Sequence, residues 1–245
     1  MNGLNLGSDQ RLPLYQRLRD EMLAKISSGQ WRPGEPIPTE AELTKIYSVA
    51  IGTVRKAVDT LVADGLLQRN QGRGTYVRRP DFNASLFRFF RQVSSSGEQQ
   101  VPQSRIISLN LEQAPEAVTH ALNLNRADAA ICMQRIRMGN ERAIFSEEIW
   151  LPAPRFAKLL DLSLNEFGNL LYPFYEEQCG QLIASAKETL TVEPADAQTS
   201  AALGIDAGKP VVVIERIALS YDSTPLEYRI SRGAADTFRY QIEIS

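Results

Sequence analysis

Residues 48–61, SVAIGTVRKAVDTL, open like an amphipathic helix, yet the first turn is spent on Ile51, Gly52 and Thr53. Val54, Val58, Leu61 and Val62, with Ala57 beside them, form the apolar stripe. At about 100° per residue Lys56 stands almost opposite that stripe, flanked by Gly52, Thr53 and Asp59, and Arg55 lies on its boundary. A helix with a slim first turn and adjacent cations is unusual for a core element, so its neighbours decide what it is.

Upstream, Pro13 precedes LYQRLRDEMLAKISSG, where Leu14, Leu18, Met22 and Ile26 recur every fourth residue and Gly29 ends the helix. RPGEPIP is a turn-rich connector. Thr39-Glu40-Ala41-Glu42 has the capping-box pattern and opens a short second helix ending near Tyr47. The third helix runs from Ile51 to Asp64, with Gly65 as its cap. LLQR and TYVRR then read as two short strands joined by Asn70-Gln71-Gly72-Arg73-Gly74. Helix, helix, turn, helix and ribbon make a winged helix-turn-helix.

A recognition helix enters the major groove by its N-terminal end, which explains the slim start and the following cations. Gly52 permits close backbone approach, Thr53 and Arg55 reach phosphates or base edges, and Lys56 adds charge. Arg73, between Gly72 and Gly74, suits a wing tip in the minor groove or on a phosphate. Thr39 and Glu40 at the second helix and Gln71 in the wing complete the candidate DNA-binding set. The competing interpretation is a small core helix with a solvated cationic face, followed by an ordinary hairpin. Helix order, the glycines and both basic clusters together favour the wing.

At 245 residues the chain accommodates one large domain or two ordinary ones, and 43% hydrophobic residues is ordinary for a globular protein. No apolar run is long enough to span a bilayer, and the N-terminal stretch lacks the pattern of a signal peptide, so a cytoplasmic location without membrane attachment is expected. Cys132 and Cys179 read as reduced thiols. With His120 the single histidine, neither a metal site nor a cofactor is expected. Residues 1–80 hold 12 Lys/Arg against 8 Asp/Glu, a net of +4, and the remainder hold 15 against 21, a net of −6. That polarity fits a nucleic-acid module joined to something else.

The expected organisation is a DNA-binding domain over 1–79, a linker over 80–104 and a second domain over 105–245. The linker carries a Ser/Gly/Gln-rich tract, and its LFRFF stretch is too aromatic for solvent, suggesting a strand anchored on the second domain. Within the second domain, APEAVTHALNLNRADAAICMQRIRM aligns with ADAQTSAALGIDAGKPVVVIERIAL at an offset of 81. Ala114 falls on Ala195, Leu122 on Leu203, Arg135 on Arg216 and Ile136 on Ile217. With one residue of slippage Glu147 falls on Glu227. Each copy reads as a helix followed by a hairpin, which predicts an α+β domain with an antiparallel sheet and a pseudo-twofold relation. Chance recurrence of common helix–strand patterns is the alternative. Arg135 and Arg216 are shared, so either can be scaffold. Arg137 corresponds to Ala218, so the fold does not demand its charge. Glu147 and Glu227 stand beside the arginines, to pair with them or to bind a ligand.

PLYQRL, PGEPIPTE, TVRKA and the glycine-arginine-glycine wing, spread almost continuously over residues 12–78, resemble the N-terminal domain of the GntR family of bacterial transcription regulators. RIRM, SEEIWLP, LLYPFYEE, AKETLTVEPADA, LGIDAGKPVVVIERIA and PLEYRIS, in family order over about 85–243, resemble the UTRA ligand-binding domain of HutC-type members, whose fold is that of chorismate lyase. The resemblance implies a homodimeric regulator, more often repressor than activator, binding double-stranded DNA at a palindromic operator. It also implies a small polar effector such as a phosphorylated sugar or organic acid. By correspondence it marks Arg135, Arg137, Glu147, Tyr172, Glu227 and Arg229 as effector-pocket candidates. Ala41 and Ala50-Ile51 depart from the family at positions that often touch DNA. Base reading therefore shifts to Thr53, Arg55, Lys56 and the wing. Ile51 has two roles open to it, packing inward or meeting a thymine methyl.

Two other function classes fit less well. A lyase with a DNA-binding appendage lacks a Ser-His-Asp order, a phosphate loop and a metal cluster, although a lyase that works by shielding its substrate needs few such groups. A constitutive architectural DNA-binding protein leaves the charged strands of the second domain without a purpose.

Overall fold

The computed structural model describes residues 11–80, 102–139 and 141–238. The described residues form two compact units: one comprises 11–80 together with the turn 220–224, and the other comprises the remaining described residues.

In the first unit α1 (Leu14–Ser27) and α2 (Glu40–Tyr47) each pack on α3 (Ile51–Ala63). The four-residue spacing of α1 buries Leu18, Met22 and Ile26, and the stripe of α3 buries Val54, Ala57, Val58 and Leu61. The capping box at α2 forms as its sequence prescribes. Thr39 Oγ1 accepts from the Glu42 backbone N–H, and the Glu42 carboxylate accepts from the Thr39 N–H at 2.8 Å. This pairing holds the Glu42 carboxyl below its ordinary range. Strands β1 (Leu67–Asn70) and β2 (Gly74–Val77) pair antiparallel, and Gly72 and Gly74 take φ of +72° and +112° to turn the chain between them.

The second unit is one antiparallel sheet in the order β3-β4-β5-β8-β7-β6. Its strands are β3 (Gln103–Gln113), β4 (Ala129–Gly139), β5 (Arg142–Pro152), β6 (Ser185–Pro194), β7 (Pro210–Leu219) and β8 (Pro225–Ala234). It also carries helices α4 (Glu116–Ala121), α5 (Ala153–Phe156), α6 (Leu171–Cys179) and α7 (Ala197–Leu203), with two short 3-10 turns (Ala157–Asp161 and Leu164–Glu166) between α5 and α6. The order is symmetric about the β5–β8 junction. Each half runs strand, helix, hairpin: β3-α4-β4-β5 and β6-α7-β7-β8. The repeat therefore includes a leading strand that the sequence alignment had not covered.

Alternation along β4 sends Ile131 and Met133 to one face, where they join Ile149, Leu151, Phe156, Leu159, Leu171 and Tyr175 in the larger core. Ala130 and Cys132 face the other way, meeting Val118, Leu122, Trp150 and Tyr228. Burial, and then the nearby Glu148, push the Cys132 thiol up to about 12, which keeps it protonated and inert. The expected linker needs a correction at its end, because Gln103 and Ser104 already belong to β3. Pairing with β4 carries the strand back that far, Gln103 lying opposite Met138 and Ser104 opposite Arg137. The LFRFF stretch and the rest of 81–101 lie outside the described residues.

Candidate DNA interface and effector site

On the first unit, the N-terminal half of α3 presents Gly52, Arg55 and Lys56 to solvent. A side chain at Gly52 would meet nothing within 4 Å, so internal packing does not demand glycine there. A glycine that weakens a helix without a packing reason fits close backbone approach by a ligand. Thr53 is half-buried. Ile51 is 49% exposed, which removes the inward-packing option.

The two cations of α3 diverge. Lys56 Nζ lies 4.0 Å from the centre of the Tyr15 ring on α1, so this ammonium is placed by an aromatic neighbour rather than merely solvated. Arg55 turns to α2, where its Nε donates to Glu40 Oε2 at 3.1 Å. Glu40 Oε1 accepts from Arg69 Nη2 of β1, also at 3.1 Å, and Arg69 Nη1 pairs with Asp59 at 2.7 Å. Glu40 thus holds two arginines, and Arg69 joins the surface although no motif marks it. Gln71, Gly72, Arg73 and Gly74 are exposed in the wing turn, and Thr39 is exposed at the cap of α2.

On the second unit the larger-core face of the sheet carries a buried charged cluster. Arg135 Nε donates to Glu147 Oε2 at 2.5 Å, and Ser231 Oγ donates to the other oxygen at 3.0 Å. Arg229 Nη2 donates to Glu227 at 2.6 Å, and its Nη1 lies 3.8 Å from Glu147. From α6, Tyr172 and Tyr175 both donate to Glu227, at 3.1 and 3.0 Å. Arg216 donates to the Tyr172 hydroxyl and pairs with Glu188 of β6. All six residues marked in the sequence, Arg135, Arg137, Glu147, Tyr172, Glu227 and Arg229, stand on this one face.

Electrostatics follow from burial. Burial, the largest influence, pushes the Glu147 carboxyl up, but Arg135, Arg229 and Arg137 together override it and hold it at about 2. Burial and the Glu227 charge raise both tyrosines, Tyr175 the more strongly. Arg137 is the exception among the cations. It is 1% exposed, and burial, then repulsion from Arg135, pull its guanidinium down to about 10. Its Nη1 donates to the Asn169 carbonyl at 2.5 Å, while Nε and Nη2 have no partner among the described residues. Opposite it in the β3–β4 register, Ser104 carries a hydroxyl that also has no partner among the described residues, and its N–H donates to Asn169 Oδ1 at 2.8 Å.

Comparison with known proteins fits both halves. Residues 14–77 match the model of the bacterial regulatory proteins of the gntR family, and residues 97–239 match the UTRA domain. The chain belongs to the GntR family and carries a UTRA domain. It is 27% identical over 245 residues to the HTH-type transcriptional repressor NagR of Bacillus subtilis, covering 98% of this chain and 99% of that protein. It is 28% identical over 236 residues to the mannosyl-D-glycerate transport/metabolism system repressor MngR of Escherichia coli, covering 95% of each. The crystal structure of PhnF from Mycobacterium smegmatis superposes with a TM-score of 0.53 at 23% identity, over 94% of this chain and 98% of that one. A GntR-family regulator from Enterococcus faecalis gives 0.51 at 22% identity, over 58% of this chain and 99% of that one. These superpositions establish the shared fold.

The UTRA regulator is therefore a DNA-binding transcription regulator with a small-molecule effector domain. Its sequence concealed several members of the cluster. Tyr175, Asn169 and Ser104 lie in stretches that read as core or linker, and Ser231 and Glu188 alternate into the site from their strands. The four-residue spacing of Leu171 and Tyr175 would have placed Tyr175 on the buried face of α6.

Proposed function

We propose that the protein is a repressor whose operator affinity is set by a small anionic, hydroxyl-bearing metabolite bound at the buried arginine cluster. The observation that carries this is Arg137, a buried cation with two nitrogens, Nε and Nη2, that have no partner among the described residues. Arg135, Arg137, Arg216 and Arg229 face Glu147, Glu188 and Glu227, so four positive charges meet three negative ones. A carboxylate or phosphate answers the surplus charge, and Arg137 offers the fork for bidentate contact. Ser104 adds a hydroxyl beside it. The carboxylates and tyrosines already bonded around Glu227 suit the hydroxyl groups of a sugar or hydroxy acid. MngR, named for mannosyl-D-glycerate, supports an anionic sugar derivative as the class.

The same relatives support regulation, rather than catalysis, as the role of this domain. A homodimer formed through the second unit, on a palindromic operator, is part of the proposal. The edge strand β6 exposes Leu190 and Val192, and β3 exposes Ile107 and Leu111, which leaves apolar surface for a second copy. DNA contact is assigned to Gly52, Thr53, Arg55, Lys56 and the wing residues Gln71 to Gly74.

The test is a thermal-shift screen of sugar phosphates, hydroxy acids and inorganic phosphate on the wild-type chain and on Arg137→Met. A compound that raises the melting temperature of the wild type alone supports the site. Equal stabilisation of both proteins by every active compound would overturn it. Light scattering at micromolar concentration tests the dimer, which a monomer both free and on DNA would refute.

A further inference from the structure

We propose that Glu40 is a positioning residue for DNA recognition, and that Arg69 on the first strand of the wing is a DNA contact held in place by it. The proposal rests on the assignment of α3 as the recognition helix. Glu40 is the first residue of α2, and its two oxygens serve two different elements. One accepts from Arg55 Nε on α3, the other from Arg69 Nη2 on β1, each at 3.1 Å. Arg69 is gripped a second time by Asp59, one helical turn beyond Arg55. Arg55 and Arg69 therefore share one carboxylate and stand side by side.

Stability does not explain this arrangement. The side chains of Arg55, Arg69 and Asp59 are about half exposed, at 58%, 45% and 52%. Ion pairs this exposed contribute little to folding. What the arrangement does fix is direction. A guanidinium is a planar fork of five N–H groups. With Nε of Arg55 engaged by Glu40, its Nη1–Nη2 edge faces away from the carboxylate. That edge is the one that pairs with guanine O6 and N7, or with two phosphate oxygens. Because Arg69 is anchored beside it, any DNA reached by Arg55 lies within the same patch.

The charge balance adds a second consequence. Arg55 and Arg69 are matched by Glu40 and Asp59, so the patch is neutral overall before DNA arrives. Non-specific binding depends on net positive charge, whereas base reading depends on aimed hydrogen bonds. Glu40 therefore lowers affinity for arbitrary DNA while keeping the arginines aimed. Removing its charge strengthens the wrong binding and loosens the right one.

The experiment uses the full-length chain, a duplex recovered by selection from randomised DNA with the wild type, and a scrambled duplex of equal length. Affinities for both are measured by fluorescence anisotropy over a salt series. Glu40→Gln is expected to bind the scrambled duplex more tightly and to lose about fivefold or more in the ratio between the two duplexes. Glu40→Asp, too short to reach both arginines, is expected to lose the same ratio and serves as the second variant. Arg69→Ala is expected to weaken operator binding by about fivefold or more. When Arg55→Ala and Arg69→Ala are both present, adding Glu40→Gln is expected to leave the ratio unchanged. An unchanged ratio in Glu40→Gln and Glu40→Asp overturns the proposal, as does an equal loss with and without the arginines. Unchanged operator affinity in Arg55→Ala overturns instead the recognition-helix assignment beneath it.

Discussion

Replacing Arg137 by methionine separates a side chain kept for binding from one kept for folding. Burial, then repulsion from Arg135, pull this guanidinium below its ordinary value to about 10, so holding its charge inside the protein costs on the order of 3 kcal/mol at neutral pH. Against that stands one charge-assisted hydrogen bond to the Asn169 carbonyl, worth about 1.5–3 kcal/mol. Methionine fills a comparable volume without charge or unpartnered donors, and β4 tolerates it because the pseudo-symmetric position is Ala218. The expected outcome is a protein as stable as the wild type, or up to about 2 kcal/mol more stable. Urea unfolding followed by circular dichroism measures this, with the slope compared to confirm that the same surface is exposed. The sign of the pH effect is also fixed. A guanidinium with a lowered value destabilises the fold while charged, so the wild type gains on Arg137→Met as pH rises above about 10. Destabilisation of Arg137→Met by more than about 2 kcal/mol would refute the reasoning, because it would make Arg137 a structural residue.

Other expectations concern both units. Gly52→Ala should stabilise the first unit by about 0.5–1 kcal/mol, since its new methyl group meets open space, and should weaken operator binding by blocking backbone approach. Thermal melting and anisotropy report the two signs, and unchanged affinity would remove the close-approach role. Arg55→Ala and Arg73→Ala should each weaken operator binding by about 1–3 kcal/mol if they read bases, measured as isotherms at fixed salt. Glu147 contributes stability that is present above about pH 4.5 and is lost as pH falls towards 2, because its folded value lies below the ordinary one. Glu147→Gln should flatten that part of an acid-unfolding curve, and an identical curve would remove Glu147 from the account.

The legible parts of this chain were those whose information is local or repeated. Thr39 and Glu42 announce the start of α2 by their spacing, and the glycines around Arg73 announce a tight turn. The offset of 81 exposed the symmetry that the strand order then completed. What sequence could not supply was the direction of long side chains. Lys56 is expected to add charge to the DNA-facing side of α3, but its contact with the Tyr15 ring is not readable from that spacing, because α1 brings the ring from about forty residues away. Glu40 stands in the candidate DNA-binding set, and its carboxylate is shared by Arg55 and Arg69, which no spacing on one helix reveals. Ser104 and Asn169 reach Arg137 only through pairing of β3 with β4 and a loop beyond β5. Such contacts depend on tertiary approach, and their residue types alone are too common to signal it.

The central claim is that occupancy of the buried arginine cluster is coupled to DNA binding. Its direct measurement is the operator dissociation constant at fixed salt, with and without a saturating amount of a compound that stabilises the wild type but not Arg137→Met. The account predicts a change of about 5- to 150-fold for the wild type, and an equal change in compound affinity when operator is bound, since coupling is reciprocal. Arg137→Met should show neither change while binding operator normally. Stabilisation of the wild type by the compound with no change in operator affinity would contradict the account.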